Sequence, residues 1–202
     1  MKERIPKAWV DYIFLKRRKI IEKMIRGEAE AKDIYLEFTR TLPAIVTYGP
    51  AGLNASIKMI GLLPKKEILG EILSKMKSFI KKKPKMKEVV KFLLDSVYVE
   101  DILDLTKLFT LDLALKNTWK NINETKSAVL IFFTPPSVSY MVKAEVTIHR
   151  DDDVFMFANY MHDLFHVVPI KGKVISRSPT YLFHIEEIWD KSADKFGIKI
   201  YP

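Results

Sequence analysis

The residues best equipped for chemistry fall into three groups. Lys116, Asn117, Thr118 and Trp119 open a short helical pattern near the middle of the chain. A positive side chain, a hydroxyl and the unpaired N–H groups of a helix start together suit a phosphate. The competing reading of Lys116 and Thr118 is a plain helix entry with a solvated lysine. Asn54 and Ser56, on the second strand of a predicted hairpin, could offer an amide and a hydroxyl to ligand oxygens. Trp119 reads as packing in preference to a stack on a ligand ring.

The second group is His162 and His166, spaced i, i+4 as H-D-L-F-H on a predicted helix over 152–166. That spacing puts both imidazoles on one face, as in zinc peptidases. Here Asp163 stands where those enzymes carry Glu, and the sequence shows no third ligand beyond His149 or His184. Phe155, Met156, Phe157, Tyr160, Leu164 and Phe165 surround the pair. A half-buried helix with ordinary hydrogen bonds explains it without a metal, and none is assigned. Asp151-Asp152-Asp153 lacks calcium-loop spacing and reads as the cap of this helix. Glu186 and Glu187 are adjacent in a strand, face opposite ways and cannot form a carboxylate pair. There is no phosphate-binding P-loop, no G-x-S-x-G elbow and no dinucleotide fingerprint.

The third group is Lys81-Lys82-Lys83-Pro84-Lys85-Met86-Lys87, joined by Lys65, Lys66, Lys75 and Lys77. Residues 1–100 hold 22 Lys and Arg against 12 Asp and Glu, whereas residues 101–202 hold 12 against 13. The formal charge of +9 therefore belongs to the first half. Nucleic acid, anionic lipid or phosphorylated ligands would meet it there, the bland alternative being a solvated lysine face. A nucleic acid would be held by its phosphates, since only Phe79 is near enough to stack a base.

These residues need a scaffold. The chain has 202 residues, 48% hydrophobic and 29% charged, enough for a sizeable core and unlike a disordered chain. With no Cys, disulfides, thiolate metal sites and thiol catalysis are excluded. That absence suits a reducing cytoplasm and, with the Lys- and Ile-rich composition, a hot-living source. No secretory leader and no apolar run of membrane-spanning length are read, so a soluble cytoplasmic protein is expected. Apolar spacing predicts helices over 7–38, broken at Gly27, and over 65–96, interrupted at Pro84. Ile68, Ile72, Met76 and Ile80 should form the buried stripe of the inserted helix. Strands are predicted near 41–49, 53–62, 105–112, 126–134, 139–149, 180–189 and 196–201, with a short helix at 115–122. The result is an α+β chain: N-terminal helices over 1–40, then a strand-rich domain over 41–202 with a helical insertion at about 65–100. Several short antiparallel strands favour a closed barrel, which leaves few open edges.

The order of features resembles the flavin-binding split barrels of the pyridoxamine 5′-phosphate oxidase-like superfamily. The carriers are the hairpin PAIVTYGPAGLNASIKMIGLL, the element Lys116-Asn117-Thr118-Trp119-Lys120-Asn121-Ile122, the apolar strand AVLIFF, Lys143-Ala144-Glu145-Val146, and the acidic turn and helix from Asp151 to His166. The resemblance covers roughly 41–63 and 105–190. It implies an antiparallel split β-barrel that binds FMN, a homodimer with two flavin sites at its interface, and an oxidoreductase whose substrate is unassigned. Carried over by residue, it implies a phosphate near Lys116 to Trp119 and a ribityl chain or ring near Asn54 and Ser56. Independently, the continuous apolar strand with Trp119, Phe132, Phe133 and Tyr140 nearby is more apolar surface than one small barrel should cover, which also predicts a two-fold homodimer. The alternative is a nucleic-acid or acidic-partner binding module that uses the basic helical half without enzymatic activity.

Overall fold

The structure is a computed structural model, and it describes residues 4–166 and 177–202. It is α+β, with one antiparallel sheet. The strands are β1 (Ala44–Thr47), β2 (Asn54–Ile57), β3 (Gly61–Pro64), β4 (Leu103–Leu111), β5 (Ser127–Thr134), β6 (Val138–His149), β7 (Thr180–Asp190) and β8 (Ile198–Tyr201). Their order is β2-β1-β5-β6-β7-β4-β3, with β8 added beside β7.

The two ends of that order are brought together by the chain itself. β2 and β3 lie at its two ends, yet only residues 58–60 separate them in the chain. The extended stretch predicted as one strand is thus two. It pairs with β1 as far as Ile57, then crosses and pairs with β4 from Gly61. The crossing is held by the Ile60 N–H on the Thr41 carbonyl at 2.8 Å and by the Thr110 hydroxyl on the Met59 carbonyl at 2.6 Å. Gly61 is required there, because an added Cβ would meet the Phe109 ring at 2.3 Å. This is the split in the barrel: one extended stretch supplies the strand at each end of the sheet order, pairing first with β1 and then with β4.

Inward positions follow the strand period of two. On β5, Ala128, Leu130, Phe132 and Thr134 are buried; on β6, Tyr140, Val142, Ala144 and Val146 face the same interior. One barrel end is covered by α1 (Lys7–Val10), a π-helical turn (Asp11–Leu15) and α2 (Lys16–Arg26). Trp9 packs edge-on to Phe132 and Tyr140 at 5.3 and 5.6 Å, and Tyr12 lies 4.8 Å from Tyr140. Burying each such ring contributes about 1.5–3 kcal/mol. This corrects the expectation of apolar surface beyond what one barrel covers: the N-terminal segment covers Phe132 and Tyr140, and of that group Phe133 alone is largely exposed, at 53%.

α2 stops at Gly27, as predicted, and α3 (Ala31–Thr41) leads into β1. The insertion forms α4 (Lys66–Ile80) and α5 (Met86–Ser96). Its buried stripe is Leu69, Ile72, Leu73 and Met76, displaced from the predicted one, which had included Ile68 and Ile80. Val89, Val90 and Leu93 anchor α5. α6 (Asn117–Thr125) bridges β4 and β5, and α7 (Asp153–His166) follows β6. No described helix is long and apolar enough to cross a membrane.

Candidate functional site

The site forms where the β1–β2 hairpin meets the first turn of α6. Asn54 and Ser56 share the face of β2 that turns toward α6. The Asn54 amide donates to the Thr118 hydroxyl at 2.9 Å, and Ser56 Oγ lies 3.1 Å from the same oxygen. Thr118 is 6% exposed. If Ser56 donates as well, the Thr118 proton is left for a ligand.

Lys116 occupies the N-cap position of α6, and no side chain caps this helix. The first N–H groups are therefore open to an acceptor. Lys116 and Asn117 are exposed. Trp119 is half-buried, stacked on Tyr181 with ring centres 6.2 Å apart, and the Arg150 guanidinium lies 4.9 Å above its ring. Of the six residues expected to bind a flavin, three are joined by hydrogen bonds, two stand exposed at the helix entry, and Trp119 packs against a strand.

Sequence reasoning missed the residues that hold this end together. Asn121 is fully buried. Its Oδ1 accepts the Ala51 N–H at 2.8 Å, while its amide donates to the Gly52 carbonyl at 2.8 Å and to Thr47 Oγ1 at 3.2 Å. The hairpin turn is tied to α6 by one side chain. Gly49 permits the approach, since a Cβ there would stand 3.0 Å from the Asn121 Cα.

Beneath Trp119 lies a second missed group. The Tyr181 hydroxyl donates to Asp112 Oδ2, and the Lys58 ammonium meets Asp112 Oδ1 at 3.1 Å. The N–H groups of Ala114 and Leu115 also reach that carboxylate, at 3.3 Å, and so shape the loop that enters α6. Burial alone would raise the Asp112 carboxyl; Tyr181 and Lys58 outweigh it and hold it below the usual carboxylate range. Burial, then Asp112, pushes the Tyr181 hydroxyl up. The sequence signal was weak: an Asp at a strand end and a Lys in a loop, 54 residues apart.

A further polar chain crosses β6 and β7. Asp152 Oδ2 lies 2.5 Å from His149 Nδ1, His149 Nε2 lies 2.8 Å from Thr147 Oγ1, and His184 Nε2 lies 2.9 Å from the same hydroxyl. Where His149 donates its Nδ1–H to Asp152, its Nε2 accepts from the Thr147 hydroxyl, and that hydroxyl accepts from His184 Nε2–H. Asp152 also receives the Phe155 N–H at 3.0 Å, which is the cap expected for α7. His162 lies half-buried on α7, whereas the His166 side chain lies outside the described residues. Among the described residues, no group of three or more His, Asp or Glu could hold a metal ion.

One apolar groove of about 360 Å³ is lined by Phe38, Leu42, Ala44, Ile57, Ile131 and Phe133, with Thr39. Ile57 points away from Ser56, so the groove and the Thr118 cluster lie on opposite faces of β2. The α6 entry has the donors that a phosphate needs, and the groove of the same chain does not continue from it toward a ring.

No protein-family model and no curated protein matches the chain. Solved structures with a likeness to it include HupZ of Group A Streptococcus, at 11% identity over 81% of this chain and 92% of that one, with a TM-score of 0.49. A pyridoxamine 5′-phosphate oxidase-related, FMN-binding protein of Nostoc punctiforme shares 8% identity over 99% of both chains, with a TM-score of 0.47. A putative pyridoxamine 5′-phosphate oxidase of Listeria innocua shares 8% identity over 80% of this chain and 98% of that one, with a TM-score of 0.45.

Proposed function

We propose that this split barrel binds FMN, with the flavin phosphate at the entry of α6, and acts as a flavin-dependent oxidoreductase. One observation carries the reading. Asn54 and Ser56 reach across from β2 to a single hydroxyl, Thr118, in the first turn of an uncapped helix. Lys116 would supply charge, the open N–H groups of residues 117–119 would donate, and Thr118 would present its proton. Asn121 would hold the β1–β2 turn against the helix, and Asp112 would fix the entering loop. FMN, when bound, supplies the hydride chemistry itself, so the chain need only hold and orient it.

The ring would be enclosed by a second copy of the chain. Phe133 and Ile57, 53% and 64% exposed, are the apolar surface that such a homodimer would cover. The purified protein should be yellow, or should turn yellow and gain thermal stability with added FMN. Each charge-assisted hydrogen bond contributes about 1.5–3 kcal/mol. Lys116→Ala should therefore weaken FMN binding about tenfold or more, while riboflavin binding changes less. Lys82→Ala should leave FMN affinity unchanged. A parent protein that takes up no flavin, in the spectrum or in the melting curve, would remove this reading.

A further inference from the structure

The α4–α5 insertion ends in a tip that the fold does not account for. Lys81, Lys82, Lys83, Lys85 and Lys87 are all exposed, and Lys77 lies one turn earlier on α4. Lys75 and Lys91, further from the tip, are paired with Glu71 and Asp95. None of the six tip lysines has an ion pair among the described residues. Glu88, the acidic residue next to Lys87 in sequence, is engaged by the backbone N–H of Lys85 at 2.7 Å.

Three features count against a merely solvated face. Lys77 and Lys81 are spaced i, i+4, where like charges repel on a helix. Lys83 sits at φ 50°, in the left-handed region that favours glycine. The cluster is also carried on helices anchored in the core through Leu69, Ile72, Met76, Val89 and Leu93, so its charges are held together and cannot disperse as they would on a loose tail. The α4 C-terminus favours some positive charge through its dipole, but six lysines around one turn, unpaired among the described residues, exceed what a single helix end stabilises.

The chemistry of the tip narrows the partner. Phe79 and Phe92 stack on each other, with centres 4.4 Å apart, and are half-buried. They are taken up in packing and do not offer free faces to bases. Met86, 50% exposed, is the one large exposed apolar side chain between Lys75 and Lys91. That is too little for an apolar face inserted at a lipid interface. There is no Arg in this stretch, so the bidentate reading of guanine that Arg provides is absent. What remains is a dense group of ammonium charges on a helix-anchored turn, suited without regard to sequence to the phosphates of a duplex, which present one charge per about 1.7 Å of axis.

We propose that the α4–α5 tip is a sequence-independent docking surface for duplex nucleic acid, separate from the flavin reading of the α6 site. Neutralising five phosphates would give a log–log dependence of affinity on salt with a slope of about −4.5. Affinity should then fall about 500-fold between about 50 and 200 mM salt. The test is fluorescence anisotropy with a labelled mixed-sequence DNA duplex of about three helical turns. The full chain is compared with a variant carrying Gln at positions 81, 82, 83, 85 and 87, and with Lys191→Gln/Lys195→Gln as the charge control.

The expected result is binding by the parent and the control, similar affinity for an unrelated duplex sequence, and loss of at least 100-fold in the five-site variant with an unchanged circular dichroism spectrum. A parent that does not bind, a five-site variant that binds like the parent, or a control that loses as much would overturn the proposal. Tighter capture by vesicles containing phosphatidylserine than by the duplex at the same salt would also overturn it, and would make the tip a lipid contact.

Discussion

Positive charge is handled in opposite ways at two places in this molecule. Beside α6, Lys58 is 15% exposed and meets a carboxylate that is 1% exposed, itself held by a tyrosine and two backbone N–H groups. At the α4–α5 tip, six lysines stand in water with no ion pair among the described residues. A charge taken out of water must be paired and fully hydrogen-bonded, or it costs several kcal/mol. A charge left in water has no such requirement, so its placement records something other than folding. The first arrangement should be intolerant of change and the second tolerant of it, unless a partner is present.

The sharpest way to break the contrast is Asp112→Ala. It leaves Lys58 and the Tyr181 hydroxyl without their partner and releases the loop that enters α6. Removing one member of a buried pair costs about 3–5 kcal/mol, which for a chain of this size lowers the melting temperature by roughly 10 °C. Urea denaturation should show it, and Lys58→Met combined with Asp112→Leu should recover only the share due to the stranded ammonium, since the Tyr181 hydroxyl stays unpaired. A loss under about 1 kcal/mol would mean that the pair is no stronger than a surface one. The pH dependence has a fixed sign. The folded carboxyl is held below its unfolded value of about 3.9, so its contribution is present above that pH and is lost as pH falls below it. Asp112→Asn should flatten the acid limb of the stability profile.

Much of the barrel was legible because its strands alternate and its turns carry Gly and Pro. The hairpin, the apolar strand at Ser127–Thr134 and the helix after the acidic run are readable from local pattern alone. The division of β2 from β3 was not, because exchange of one neighbour for another is a tertiary event and Gly61 looks like any strand glycine. The site divides in the same way. Asn54, Ser56 and Thr118 announce themselves by type and by their place on a predicted strand and helix start. Asn121, Asp112, Lys58 and Tyr181 are ordinary residues made important by burial, and burial depends on contacts between distant parts of the chain. Half of the α4 stripe was legible, Ile72 and Met76, while Leu69 and Leu73 took the places given to Ile68 and Ile80, because every hydrophobe there suits a helix and only the facing elements choose among them.

Asn121→Ala comes next in expected effect. Three hydrogen bonds are lost at the hairpin, and the Ala51 N–H loses its acceptor. At about 1 kcal/mol for each bond, the total is about 2–3 kcal/mol. Hydrogen exchange should localise the loosening to residues 48–53, ahead of the rest of the barrel. Uniform loosening would show that Asn121 is a general core residue with no special hold on the turn.

His184 gives a smaller, pH-dependent effect. Burial and then Lys107 lower its pKa from the usual 6.5, against the pull of Glu145. A base whose folded pKa is depressed contributes stability above the unfolded value, and that stability is lost as pH falls through about 6.5. Thermal melts of the parent should decline from pH 7.5 toward 5.5, and His184→Gln should show a shallower decline. An equal slope in both would assign the decline to other groups.

The smallest effect is expected at the tip, and it carries the most information about the contrast. Lys83→Gly removes a side chain from a left-handed position, which relieves about 1–2 kcal/mol of local strain. The unfolded chain gains freedom at the same time, which takes back about 0.5–1 kcal/mol. A net gain of up to about 1 kcal/mol follows. Exposed Lys→Gln changes at positions 81, 82, 85 and 87 should each stay within about 0.5 kcal/mol, leaning toward stabilisation because repulsion falls. If folding alone had chosen these residues, the more stable variants should lose nothing. If the tip serves a polyanion, Lys83→Gly should be more stable and yet bind a duplex more weakly, with a salt slope shallower by about 0.9. Gain in one measurement with loss in the other is the signature of charge kept for a partner. Stability and duplex affinity that move in the same direction would place the tip lysines with Lys58, as residues retained for the fold.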